Sequence, residues 1–327
     1  MKKIIFTLLL VSSLQIIGQE KKDESNFKFS GSVDTYYTTN ISTSSIGTTG
    51  ILSDVSANGF GLGMANTILS YEKGKTGIVA DLAFGPRANA ANAYTGAINQ
   101  LYLYYQASET IKVTLGQFNT FYGYEVISPT ANFNYSVSYL FNAGPFSHTG
   151  IKIEYSASEN LSIMLALTNP HGITAGSNPT NDYQLGAQIG YKNQYFNLAY
   201  GSDGFGFKDV LYLDYTGGID ISDSLYLGIN AAYSNSNDAD TGYSGAALYL
   251  QQNLSKTVSI GIRPEFFKTT SVTGDTSITA VTLTGNKTLS ENLKIITELR
   301  YDSSNDLLFI GGKNTVTGIT MAAIYAF

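Results

Sequence analysis

The chain has 327 residues, of which 43% are hydrophobic and only 13% charged, whereas soluble domains carry about a quarter charged residues. An ordinary cytosolic enzyme is therefore disfavoured. With no cysteine in the sequence, disulfides, thiolate metal sites, a cysteine nucleophile and a lipidated bacterial N-terminus are excluded.

Lys2 and Lys3 precede an apolar run from Ile4 to Ile17 that ends on the small Gly18. This pattern predicts a signal peptide over 1–18, because a membrane-spanning helix needs about 20 apolar residues. The organisation that follows is a short periplasmic segment, 19–26, and one domain, 27–327. With Lys2 and Lys3 removed from 19 basic residues, 17 face 25 acidic ones, a mature net charge of −8. Nucleic acid is an unsuitable partner for such a chain.

Beyond residue 26 the recurring period is two. Phe27, Phe29, Gly31, Val33, Thr35 and Tyr37 alternate with Lys28, Ser30, Ser32, Asp34, Tyr36 and Thr38. Similar apolar faces come from Leu161 to Leu167, Leu225 to Tyr233 and Leu293 to Tyr301, the last opposed by Lys294, Ile296, Glu298, Arg300 and Asp302. Alternation of this kind predicts half-buried strands.

How the strands are joined separates a soluble sandwich from a membrane barrel. SETIKV, SENLSI, SDSLYL, SKTVSI and SENLKI start at Ser108, Ser158, Ser222, Ser255 and Ser290, each a polar turn that launches a strand. EKGKTGIV and YKNQYFNL take equivalent places near residues 73 and 193. Long loops rich in Gly, Ser, Thr and Asn fall between them, over 41–58, 172–182, 235–242 and 269–276. Short turns at one end and long loops at the other mark an all-β transmembrane antiparallel barrel. Seven turns join seven pairs of strands, and one further strand at each end makes about 16, with 14 or 12 as neighbouring solutions. Both termini then lie on the short-turn, periplasmic side.

The composition suits a bilayer. The 24 Tyr and 17 Phe can build the interfacial girdles, and a closed sheet leaves no backbone group unpaired in hydrocarbon. Asp34, Asp81, Lys152, Glu154, Lys294, Glu298 and Arg300 fall on polar faces and are expected to share the lumen with Arg87 and Arg263. Their opposite signs cancel much of the field, which predicts at most weak cation preference. The final alternating face, Ile319 to Phe327, places Tyr325 and Phe327 as an aromatic signal for the barrel assembly machinery.

One interval between turns is 50 residues, against 29–35 for the others. It contains 119–149, expected to fold inward, with Glu125, Asn132, Asn134, Tyr135, Ser136, Ser138 and Tyr139 narrowing the water path as a pore constriction. Phe133, Leu140, Phe141 and Phe146 would pack on the wall. The alternative is an external loop covering the mouth.

GYEVISPTANFNYSVSYLFNAGPFSHTG from Gly123, preceded by VTLGQFNTFYG and by SGSVDTYYTTN, resembles the OmpL-like β-barrel porins of Gram-negative bacteria. The resemblance covers about 27–327 and is most specific over 116–150. It implies an outer-membrane barrel that passes small solutes. Val137 stands where relatives can carry a basic residue, so no charged constriction is carried over at that position.

Signals for enzymes are weak. Of two histidines, His148 adjoins Ser147, which regular strand geometry turns to the opposite face, and His171 falls at a loop apex. Asp238 and Asp240 lack the glycine and glutamate of a calcium loop. Gly59, Gly61 and Gly63 lack the nucleotide-binding spacing and read as strand glycines. No catalytic residue, metal or cofactor is predicted. The reading is a porin in the outer membrane of a Gram-negative bacterium, in contact with lipid, passing small hydrophilic solutes by diffusion and able to form a homo-oligomer. The rivals are a closed-lumen barrel with a binding or secretion-partner role and, more distantly, an outer-membrane hydrolase.

Overall fold

The structure, a computed structural model, describes residues 25–41, 58–92, 96–170, 178, 180–204, 206–309 and 312–327. The predicted signal peptide and His171 lie outside them. Sixteen strands form one closed antiparallel barrel in which every strand pairs with its chain neighbours, and the first pairs with the last. They are β1 (Ser25–Asn40), β2 (Gly59–Lys73), β3 (Thr76–Phe84), β4 (Ile98–Gln106), β5 (Ile111–Asn119), β6 (Ser147–Ser156), β7 (Leu161–Thr168) and β8 (Gln184–Tyr191). The second half comprises β9 (Gln194–Gly201), β10 (Val210–Ser222), β11 (Leu225–Ser236), β12 (Thr241–Ser255), β13 (Val258–Thr270), β14 (Thr276–Thr288), β15 (Leu293–Ser304) and β16 (Thr315–Ala326). Among the described residues two short helices, α1 (Pro86–Ala91) and α2 (Tyr139–Ala143), interrupt the pattern.

The repeated serines have a structural cause. Ser108, Ser158, Ser222 and Ser255 each place Oγ within 3.1–3.2 Å of the backbone N–H three residues on. Each hydroxyl thus caps a tight turn that has no ladder partner for that group. Two other short connections use a left-handed residue at the first turn position, Gly74 at φ 58° and Lys192 at φ 56°, and the β14–β15 turn closes through the backbone, the Leu293 N–H donating to the Ser290 carbonyl at 3.3 Å.

Alternation is realised as predicted. Phe27, Phe29, Val33, Leu101, Leu103, Leu165, Leu185 and Phe196 face outward and are exposed. A soluble monomer rarely shows so large an apolar surface, whereas a barrel in lipid requires it. On β1 the opposite face, Ser32, Asp34, Tyr36 and Thr38, is buried inside.

Three boundaries differ from the sequence reading. Ser25 and Asn26 pair with Lys73 and Glu72, so β1 takes in the end of the supposed periplasmic segment. The loops expected over 235–242 and 269–276 shorten to 237–240 and 271–275, because strand pairing continues to Ser236↔Thr241 and Thr269↔Thr276. Small polar residues are as acceptable to a ladder above the bilayer as to a loop, so composition alone misplaces the edge.

Both ends of the sheet lie on the short-turn side. Val33 pairs with Tyr325, and Gly31 and Phe327 exchange backbone hydrogen bonds of 3.0 Å in both directions. The Phe327 ring lies 5.5 Å from that of Phe29.

Candidate pore constriction

Between β5 and β6 the chain leaves the wall and fills the lumen over 120–146. Tyr135 and Val137 are 1% and 0% exposed, as in the core of a globular protein. The external-loop alternative is thereby set aside. Suspended from β5 and β6, the segment reaches β13 and β14, which stand eight strands from its hinges in a ring of sixteen. It therefore spans the full width of the barrel.

An irregular segment taken out of water must find partners for its backbone groups. Inward-facing charges on the strands supply them. Glu298 on β15 accepts from the Tyr135 N–H at 2.7 Å and the Ser136 N–H at 3.0 Å. Glu265 on β13 accepts from the Leu140 N–H at 2.8 Å, and Asp214 on β10 from the Gly123 N–H at 3.0 Å. Arg263 donates to the carbonyls of Ser136 at 2.6 Å and Val137 at 3.2 Å, and Arg300 donates to that of Val137 at 2.7 Å. Arg87, on α1 rather than on a strand, donates to the carbonyls of Ile127 at 2.8 Å and Tyr135 at 3.0 Å.

Side chains complete the attachment. Glu125 forms a buried ion pair with Arg263 at 2.6 Å and accepts from the Ser138 N–H and hydroxyl, both at 2.7 Å. The Tyr135 hydroxyl donates to Asp34 at 2.7 Å, and the Tyr139 hydroxyl to Asp302 at 2.8 Å. Burial, reinforced by the neighbouring carboxylate, pushes both phenols well above their ordinary range, so both remain donors. Asn134 donates to Thr284 at 2.6 Å. Asn132 closes on the segment itself, donating to the Val126 carbonyl at 2.7 Å and accepting from the Val126 N–H at 3.0 Å.

These contacts correct one expectation. The sequence pattern points Asn132, Asn134, Ser136 and Ser138 at the aqueous path; instead they are buried and turn to the wall or to the segment. The cause is the backbone: inward charges and amides satisfy its polar groups rather than lining a wet lumen. The interior is also less polar than expected. Tyr36, Tyr135, Ile296, Ala322 and Ile324 form one apolar cluster, and Leu140 joins another with Phe267, Ile278 and Ala280. Phe141 and Phe146 pack ring to ring at 5.3 Å, and the Phe133 ring covers Gly261.

The structure does not bring every expected lumen charge to the segment. Lys152 and Glu154 pair with each other on β6 at 3.0 Å and are half-buried. Lys294 touches the segment at one point, the Asn132 carbonyl, at 3.4 Å. Asp81 is held by the side-chain amides of Asn66, Asn99 and Gln100. Asp214, Glu265 and Asp302 carry as much of the attachment as the residues singled out from sequence. Their inward register in β10, β13 and β15 was the signal available.

The glycines of β2 receive a specific role. A bulge sets Gly63 and Met64 opposite the single Asp34, whose carboxylate accepts from the Met64 N–H at 2.9 Å. A Cβ on Gly63 would collide with that carboxylate and with the Tyr135 hydroxyl, and one on Gly61 with the Tyr36 ring. His148 is 1% exposed; its Nε2 lies 3.0 Å from the Thr120 hydroxyl and its ring stacks on Phe121. Asp238 is an exposed loop residue that accepts from the Lys208 N–H at 2.9 Å.

The family model described as "Putative beta-barrel porin-2, OmpL-like" matches residues 26–327. The chain belongs to this porin family. No curated protein sequence matches it. Among solved structures, this porin-family barrel is similar to the outer-membrane channel DcaP of Acinetobacter baumannii, at TM-score 0.63 and 12% identity, over 93% of this chain and 97% of that one. An anion-selective porin from Comamonas acidovorans gives 0.63 and 13% identity, over 93% of this chain and all of that one. The outer-membrane protein OmpT of Vibrio cholerae gives 0.61 and 13% identity, over 94% and 99% of the two chains. At such identities the likeness carries the fold alone.

Proposed function

We propose that this porin is a non-enzymatic channel for passive diffusion of small hydrophilic solutes, in which the segment 120–146 sets the width of the path. The supporting observation is the segment's span from its hinges on β5 and β6 to the opposite wall. It separates a cavity of about 230 Å3 on the loop side, where Asp203, Ser236 and Thr241 line the wall, from one of about 390 Å3 on the turn side. Passage between them must skirt the segment, so hydration, width and field decide what crosses. Lipid contacts the outer face, and the assembly machinery reads Tyr325 and Phe327 in the closing strand.

The near-complete burial of Tyr135, Val137 and Ser138 favours a second reading, a closed barrel with a binding role. Planar-bilayer recording on the purified full chain separates the two. Stable open steps, with uptake of small sugars in liposome swelling, support the channel; their repeated absence favours the closed barrel.

A further inference from the structure

The turn-side cavity lies between the β1–β5 wall and residues 126–131 of the inward segment. Its volume of about 390 Å3 falls in the range of small-molecule pockets, roughly 300–1,000 Å3. At its wall Asp81 is 2% exposed and carries a charge that no basic residue neutralises. It takes part in no ion pair among the described residues, and no Lys, Arg or His lines the cavity. Three amides hold it: Asn99 at 2.6 Å, Gln100 at 3.2 Å and Asn66 at 3.3 Å.

Asn99 is itself 4% exposed. It lines the cavity with Asn119, and each has a buried side-chain oxygen without a hydrogen-bond partner among the described residues. The buried side-chain atoms left without a partner at the wall are therefore acceptors, one of them on Asn99, which holds Asp81. Ile68, Val126 and Ile127 add apolar wall to the same cavity.

We infer that this cavity is a binding subsite for a small solute bearing a primary ammonium group on a short methylene chain, with Asp81 as its charge partner. An ammonium brings three donors and no acceptor, which matches both the carboxylate and the two orphaned oxygens, and the methylenes suit the aliphatic wall. An anion would meet Asp81 with no cation to offset it. A neutral sugar would leave the charge unanswered. The inference deepens the channel reading by naming a solute class, and it rests on that reading only for transport.

The test is titration calorimetry of 1,4-diaminobutane into the folded full chain in detergent, with glucose and succinate as comparisons. Saturable binding of the diamine is expected, with neither comparison bound. Asp81→Asn should weaken it by at least about tenfold, the scale for removing one partner of a desolvated charge pair. Ser128→Lys, which brings a cation to the cavity without touching the amides around Asp81, should weaken it similarly and serves if Asp81→Asn does not fold. No saturable diamine binding, glucose or succinate bound as well as the diamine, or wild-type affinity in the folded variants would overturn the inference. Binding without conductance in bilayers would defeat the channel reading and leave the subsite standing. Conductance without binding would do the reverse.

Discussion

Glu125 and Arg263, 138 residues apart in the chain, meet at 2.6 Å inside the barrel, tying the inward segment to the wall farthest from its hinges. Both are almost fully buried. A buried pair contributes little net stability against an apolar substitute, but removing one partner strands the other charge, at about 3–5 kcal/mol. Arg263→Met should therefore destabilise the barrel strongly, and Arg263→Met with Glu125→Gln should recover part of the loss. Denaturant midpoints of the folded band on heat-modifiable gels measure this. Equal midpoints for the single and double variants would remove the pair from the account.

Asp34, Tyr135 and Gly63 form a second anchor. Tyr135→Phe deletes the donor to a buried carboxylate, which costs about 1–3 kcal/mol. Gly63→Ala pushes a methyl group into the Asp34 carboxylate and the Tyr135 hydroxyl, and overpacking of this kind costs about 1–3 kcal/mol. Both act on one contact, so the double variant should cost less than the sum. Additive losses would show that the bulge at Asp34 and the Tyr135 hydroxyl act independently.

The closing seam gives a prediction about assembly. Phe327 exchanges two backbone hydrogen bonds with Gly31 and packs its ring near Phe29. Phe327→Asp keeps the backbone and replaces the outward ring with a charge beside the bilayer. Folded barrel in the outer membrane should fall several-fold, by about that order if the charge costs ~1 kcal/mol near the interface, while synthesis is unchanged. Wild-type amounts of folded band would sink the role given to this residue.

The strands were legible because their causes are local. Ser108, Ser158, Ser222 and Ser255 cap turns three residues ahead, and alternation sets which side of each strand meets lipid. The site was legible only in outline. The enlarged interval between turns shows that 119–149 differs, and inward parity places Asp34, Arg263, Glu298 and Arg300 inside. Pairings such as Tyr139 with Asp302 or Gly123 with Asp214 join residues far apart in sequence, and no periodicity encodes them. The notion that inward charge means a wet lumen failed for the same reason: the segment's backbone, invisible to a polarity pattern, uses those charges.

Lys152 and Glu154 form an ion pair on β6 set apart from the segment, with side chains 21% and 38% exposed. They are inward charges not engaged by the segment, whereas Arg263 and Arg300 are occupied by it. Weak cation preference is expected for the wild type, and Lys152→Ala should move the reversal potential in a salt gradient further toward cations by freeing Glu154. Strong anion selectivity in the wild type, or no shift in Lys152→Ala, would contradict this assignment.

Deleting 129–143 removes Tyr135, Val137, Tyr139 and Phe141, the middle of the segment that crosses the lumen, and leaves all sixteen strands. Asp34, Glu298 and Asp302 would then face water rather than an apolar core. Single-channel conductance of this variant against the wild type, with the size cutoff for neutral sugars in liposome swelling, measures directly what the segment does. Higher conductance and admission of larger sugars in a variant that still folds are the expected result. Conductance and cutoff both at wild-type values would show that the segment does not control passage.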